Sequence, residues 1–211
     1  MSLSQQLGDG LAAMGLDLPV ASQATLLAYV GLLKKWNRTY NLTAIRDEAE
    51  MVVQHLLDSL SVLPAVQESA LAGRRWADIG SGAGLPGIPL AIARPELTMT
   101  LIEAIDKKSA FQRQAKIELG LSNVAVLNRR VEEMDGGGFD AVVSRAFAEI
   151  ADFVRLAGHL LAPGGHLYAM KGRLPDDELA RLPSGWTTVA CAPLKVPGLI
   201  AERHLIVLGK A

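Results

Sequence analysis

With 211 residues, half of them apolar, the chain is long enough for one well-packed core and short for two independent domains. Its formal net charge of −1 excludes a global basic field of the kind that draws nucleic-acid binders to phosphate, so any RNA contact has to come from a local patch. The single cysteine, Cys191, excludes an internal disulfide and a Cys/His zinc cluster, which suits a reducing cytoplasm.

The stretch MSLSQQLGDGLAAMGLDL has no basic lead followed by an apolar run, and nowhere do about 18 apolar residues stand together. The expectation is a cytoplasmic protein with no membrane partner. From Ser22 to Trp36 the residues Leu26, Val30 and Leu33 recur at helical spacing, and Glu48 to Leu63 repeats the pattern with Val52, Leu56, Leu60 and Leu63. Between them WNRTYNLTAIRD reads as a polar connecting loop. Residues 1–72 are therefore expected to form a helical extension packed on the core, followed by a main domain over 73–211.

After Gly73 short β-rich runs alternate with helical stretches: RRWADIG, LTMTLIEA, NVAVLNRR, FDAVVSRA and GHLYAMKG are strand candidates. Pro86 to Ala93, Lys107 to Leu119 and Ile150 to Leu161 are helix candidates between them. This alternation predicts an α/β fold with a doubly wound, mostly parallel sheet and right-handed crossovers. WTTVACAPLKV and ERHLIVLGK, separated by a connection too short for a helical crossover, should pair antiparallel at the sheet edge. Cys191 falls in that pair and reads as a small buried apolar residue.

WADIGSGAGLPG sets a buried strand ahead of Gly80, Ser81, Gly82 and Gly84, with Pro86 where a helix would begin. Glycines here let backbone N–H groups approach a ligand. Gly82, Gly84 and Gly87 also match the dinucleotide-binding spacing, a weak pattern by itself. Glu103 ends the next strand about twenty residues on, where a carboxylate accepts from a ribose diol. Nicotinamide dinucleotides and S-adenosylmethionine both carry that ribose. Asp78, just ahead of the loop, suits the ammonium and sulfonium of S-adenosylmethionine better than two phosphates, although a structural role holding the turn is as good a reading. Val131 and Glu132 follow the third strand, where the adenine would lie.

Ser144 and Arg145 close the fourth strand at its carboxyl end, where ligands bind in open α/β sheets. The chain lacks the [ND]-P-P-[FYW] tetrapeptide used on exocyclic amines, and Cys191 is badly placed for a cytosine-C5 nucleophile. A ring nitrogen with a free lone pair, such as guanine N7, needs only alignment and electrostatics. Arg145 and Lys171 are the catalytic candidates, able to hold a phosphate, a guanine carbonyl or the cofactor carboxylate. His55, with Asp58 and Ser59 on one helical face, reads first as a hydrogen-bonded core histidine. No metal site is expected.

The chain closely resembles the RsmG family, also called glucose-inhibited division protein B, from about Leu26 to the C-terminus. The resemblance is carried by WNRTYNLTAIRD, HLLDSL, DIGSGAGLPGIPLAI, RVEE, SRAF, YAMKG and ERHLIV. It implies a class I, Rossmann-like S-adenosylmethionine-dependent methyltransferase acting on N7 of guanine 527 in 16S ribosomal RNA, as free RNA or in the small subunit. It also implies cofactor contacts from Gly80, Leu85, Val131, Glu132 and Arg145, to which the loop and ribose reading adds Ser81, Gly82, Gly84 and Glu103. Without an exposed heptad or apolar patch, a monomer is expected. The alternatives are a small NAD(P)-dependent oxidoreductase, a non-catalytic RNA-binding module on a methyltransferase fold, and a methyltransferase for small molecules.

Overall fold

The computed structural model of the protein describes residues 1–71, 74–145 and 149–211. The boundary expected at 72/73 and the last two residues of SRAF, Ala146 and Phe147, lie outside the described residues. Seven strands form one sheet: β1 (Arg75–Ile79), β2 (Thr98–Ile102), β3 (Val124–Leu127), β4 (Phe139–Ser144), β5 (Leu161–Lys171), β6 (Trp186–Pro193) and β7 (His204–Lys210), in the spatial order β3-β2-β1-β4-β5-β7-β6. The first five run parallel. The sheet is the expected doubly wound, mostly parallel one.

β7 is antiparallel to both β5 and β6, so it sits inside the sheet and β6 alone forms the edge. Leu205 to Gly209 are consecutively buried, the pattern of a strand covered on both faces, whereas β6 is exposed over most of its length. Cys191 is accordingly exposed, which corrects the expectation that it is buried: an edge strand has no second layer over it.

Alternate residues of the central strands feed two apolar clusters, one on each face. Trp76, Met99, Leu101, Val143, Tyr168 and Met170 point to one. Ala77, Ile79, Val142, Leu167, Ala169 and Ile206 point to the other. The second face is closed by α7 (Ile150–Ala157) through Phe153, Val154 and Ala157. The first is closed by α1 (Leu3–Ala13), α2 (Val20–Tyr40), α5 (Gly87–Ala93) and α6 (Asp106–Glu118), and its cluster runs unbroken from Leu7 to Val207. Trp76, fully buried, stacks on Tyr168 at 4.9 Å and donates its indole N–H to Ala70 O.

Helix α2 extends four residues past the expected end, so that Trp36 to Tyr40 of the predicted loop are helical. The reason is the packing of Trp36. Trp36 packs on Tyr40 one turn on, with ring centroids 5.2 Å apart, and on Phe111 at 5.7 Å. Asn37 turns inward and braces the loop that follows, accepting from Thr43 N and donating to Ile45 O. Asn41 then ends the helix in the left-handed conformation, with φ 50°.

The second predicted helix begins as α3 (Glu48–Met51), capped by the Asp47 side chain, widens into a π-helix over Val52–Leu57, and finishes as α4 (Asp58–Leu60). A wide turn of this kind breaks the strict i, i+4 register, and such turns recur at functional sites. The remaining short helix, α8 (Asp176–Leu179), follows β5.

Candidate functional site

The carboxyl ends of β1, β2 and β4 meet at the glycine loop. Gly80, Gly82 and Gly84 all have positive φ, at 63°, 58° and 85°, a conformation that L side chains rarely adopt. Contacts from β2, α2 and α6 hold the loop. Gly80 N donates to Ile102 O, and Gly82 N to Glu103 Oε2 at 2.7 Å. Gln112 of α6 donates to both Ser81 Oγ and Gly82 O at 2.8 Å, and Tyr29 of α2 donates to Ala83 O at 2.7 Å. A Cβ on Gly82 would meet nothing nearer than Gly80 O at 3.9 Å, so that position faces open space. A Cβ on Gly84 would lie 2.4 Å from Ile88 Cδ1 and so faces the core rather than a ligand.

Over the loop lies a cavity of about 210 Å³ bordered by Leu42, Thr43, His55, Gly80, Ser81, Gly82, Ala83, Leu85 and Arg145. A larger cavity, about 380 Å³, opens at the amino ends of the strands beside Arg74, Asp140 and Gly164. Ligands of open α/β sheets bind outside the carboxyl ends, which selects the smaller cavity.

Its far wall comes from the helical extension. Arg145 Nη1 donates to Asp58 Oδ2 at 2.9 Å and to Gln54 O at 3.1 Å. Arg203, ahead of β7, donates from Nε to the other carboxylate oxygen, Oδ1, at 2.8 Å. His55 Nε2 lies 2.9 Å from Thr43 Oγ1 and its Nδ1 lies 3.1 Å from Gln54 O.

Burial sets the charge states. It lowers the His55 pKa to about 4, with the Arg145 guanidinium acting in the same direction, so the imidazole is neutral near pH 7. It raises Asp78 to about 7, against the opposing pull of the Gly87 N–H and Arg145 and with the support of Glu103. Tyr29 is pushed far up by burial and keeps its proton. Asp78 Oδ2 accepts from Gly87 N at 2.8 Å, while Oδ1, fully buried, has no partner among the described residues. Asp78 does not itself border the cavity, but an unpartnered buried carboxylate oxygen next to this loop favours a cationic ligand group there. The residues present therefore fit S-adenosylmethionine.

Of the residues named from sequence, Gly80, Ser81, Gly82, Leu85 and Arg145 border the cavity. Gly84 shapes the loop from behind. Glu103 reaches the loop, but its two oxygens hold Gly82 N and Ile105 N. Val131 and Glu132 stand in a 3-10 turn after β3, Val131 packed on the second apolar cluster and Glu132 exposed, and neither borders the cavity. Lys171, at the end of β5, bonds Glu178 at 3.0 Å and is also away from it. Sequence reading did not single out Leu42, Thr43, Tyr29, Gln112 or Arg203. Gln112 had a usable signal, a polar residue between Phe111 and Ala115 on the buried face of α6. Asp58 was placed on a face with His55, but the two arginines it joins arrive from 87 and 145 residues away in the chain.

The family model described as rRNA small subunit methyltransferase G matches residues 22–206. The chain is 58% identical over 206 residues to ribosomal RNA small subunit methyltransferase G of Azoarcus sp. (strain BH72), covering 97% of this chain and 95% of that one. It is 52% identical over 210 residues to the protein of the same name from Neisseria meningitidis serogroup C, covering all of both. Among solved structures, a SAM dependent methyltransferase from Aquifex aeolicus superposes with a TM-score of 0.56 at 16% identity, over 72% of this chain and 90% of that one, a likeness of fold.

Proposed function

Because the chain belongs to the rRNA small subunit methyltransferase G family, we propose that it methylates N7 of one guanine, position 527, in 16S ribosomal RNA. When bound, S-adenosylmethionine supplies an electrophilic methyl that N7 takes with its own lone pair, the carbon–sulfur electrons staying on sulfur. No proton leaves N7, so no protein base is required.

The observation that supports this choice of atom is the composition of the cavity wall. Among the described residues its ionisable side chains are His55 and Arg145, the first neutral and already bonded to Thr43, the second a donor only. Such a site aligns reactants and offers positive charge without moving protons. In this reading Gly80, Ser81, Gly82 and Leu85 line the cofactor, with Gly84 shaping the loop. Glu103 accepts from the ribose diol with lone pairs its two backbone donors leave free, Asp78 faces the cationic end, and Val131 with Glu132 read the adenine edge. Residues 1–72 serve as a helical extension that supplies the far wall, and 73–211 as the transfer domain. Arg145 holds the target nucleotide, and Lys171 lies farther out along the RNA path.

The chain acts as a cytoplasmic monomer on ribosomal RNA or the small subunit, and no helix among the described residues is long and apolar enough to cross a membrane. The oxidoreductase alternative gains nothing from Tyr168 and Lys171. Tyr168 is buried against Trp76 and Lys171 is held by Glu178.

The test is transfer of labelled methyl from S-adenosylmethionine to small subunits, and to their stripped RNA, prepared from cells lacking this protein. Label on N7 of a single 16S guanine is expected. Cofactor binding with no label on either substrate refutes the assignment and leaves the non-catalytic module, and greater transfer to metabolite extracts than to RNA favours the small-molecule reading.

A further inference from the structure

We propose that Asp58 is a positioning residue of this reaction: its buried carboxylate clamps one nitrogen of the Arg145 guanidinium so that the remaining donors meet an acceptor oxygen of the target nucleotide. The inference rests on the methyl-transfer reading above. The Asp58 side chain is only 2% exposed, and each of its oxygens takes one arginine, Oδ2 from Arg145 and Oδ1 from Arg203.

Both bonds that Arg145 makes to described residues leave from Nη1, to Asp58 and to Gln54 O. Its Nε and Nη2 have no partner among the described residues, although the side chain borders the cavity and is 27% exposed. A guanidinium is a rigid planar fork, so fixing one nitrogen from two sides fixes the direction of the others. A purely structural ion pair in this position would spend both arms of the fork inward.

Arg203 completes the arrangement. A buried carboxylate oxygen needs a donor, and the second arginine supplies one to Oδ1. It also leaves the three-group cluster with a net positive charge at the cavity, suited to a phosphate or carbonyl oxygen of the nucleotide. The π-helix brings the acceptors together, since Gln54 lies inside it and Asp58 immediately follows. Arg145 comes from the end of β4 and Arg203 from the connection into β7, so the clamp joins the helical extension to two distant segments.

The test is a double-mutant cycle on the full chain. Methyl transfer to the RNA substrate is measured for Asp58→Asn, Arg145→Ala and the double variant, with kcat and KM separated and S-adenosylmethionine affinity measured by calorimetry. Asp58→Asn is expected to lower kcat by roughly ten- to a hundredfold with the cofactor affinity little changed, because small misplacements of a positioning group cost about that much. In the Arg145→Ala background the same change should cost less than about twofold, since Asp58 acts through Arg145. Asp58→Glu retains the charge and moves it by one methylene; it should fold and still lose about tenfold in kcat, which decides the matter if Asp58→Asn does not fold. Wild-type kcat in either Asp58 variant, or independent effects that multiply in the double variant, overturns the inference. A wild-type protein that labels no RNA overturns the methyl-transfer reading and this inference with it. A labelling wild type with an unaffected Asp58→Asn overturns this inference alone.

Discussion

Asp78→Asn is expected to stabilise the free protein while weakening its hold on the cofactor. The Asp78 carboxyl is wholly buried, and burial lifts its pKa from 3.8 to about 7 despite the Gly87 N–H and Arg145 nearby. In the unfolded chain the group ionises near 3.8; in the folded chain it holds its proton until about 7. Between those values the folded state binds more protons, so stability falls as pH rises from about 4 to about 7 and stays lowered above that. At about 1.4 kcal/mol per pH unit, the full cost is about 4 kcal/mol.

Asparagine keeps the acceptor for Gly87 N without the charge. The difference in unfolding free energy between Asp78→Asn and wild type should be near zero at pH 4 and grow to a few kcal/mol by pH 8. At about 2–4 °C per kcal/mol for a chain of this size, that is on the order of 10 °C in melting temperature. Thermal unfolding from pH 4 to 9 reads it. The difference between the two proteins must be taken, because His55, lowered to about 4, gives the opposite slope: the unfolded chain binds its proton first, so stability rises as pH goes from 4 to 6.5. Calorimetry at pH 8 should show weaker S-adenosylmethionine binding to the variant. Parallel melting curves across the range would refute the buried-charge account of Asp78, and unchanged affinity would remove it from the cofactor site.

Gly84→Ala should cost about 1–3 kcal/mol, from a strained φ of 85° and a Cβ driven against Ile88, and should lower the melting temperature; a wild-type value would contradict the loop conformation. Tyr29→Phe removes one buried hydrogen bond and leaves Ala83 O without its donor, a loss of about 1–3 kcal/mol with weaker cofactor binding; equal stability and affinity would show that α2 does not hold the loop. Gly10→Ala would place a Cβ 2.5 Å from Leu57 Cδ1 across the α1 contact with the π-helix, costing about 1–3 kcal/mol by overpacking; an unchanged melt would argue against that packing.

The alternation of strands and helices after residue 73 was legible because a buried parallel strand leaves a short apolar run and each crossover an amphipathic one, patterns that survive without partners. The glycine loop was legible because backbone shape there demands glycine whatever packs around it. Other features were settled only in three dimensions. The inner place of β7 and the exposure of Cys191 depend on which strand pairs with β5, a choice two adjacent β-rich runs do not record. Helix α2 runs on to Tyr40 because Phe111, far along the chain, packs on Trp36. Above all, the cavity wall is a tertiary product. Asp58 gathers Arg145 and Arg203 from remote segments, and Tyr29 and Gln112 hold the loop from two helices, contacts set by distance in space that no local periodicity encodes.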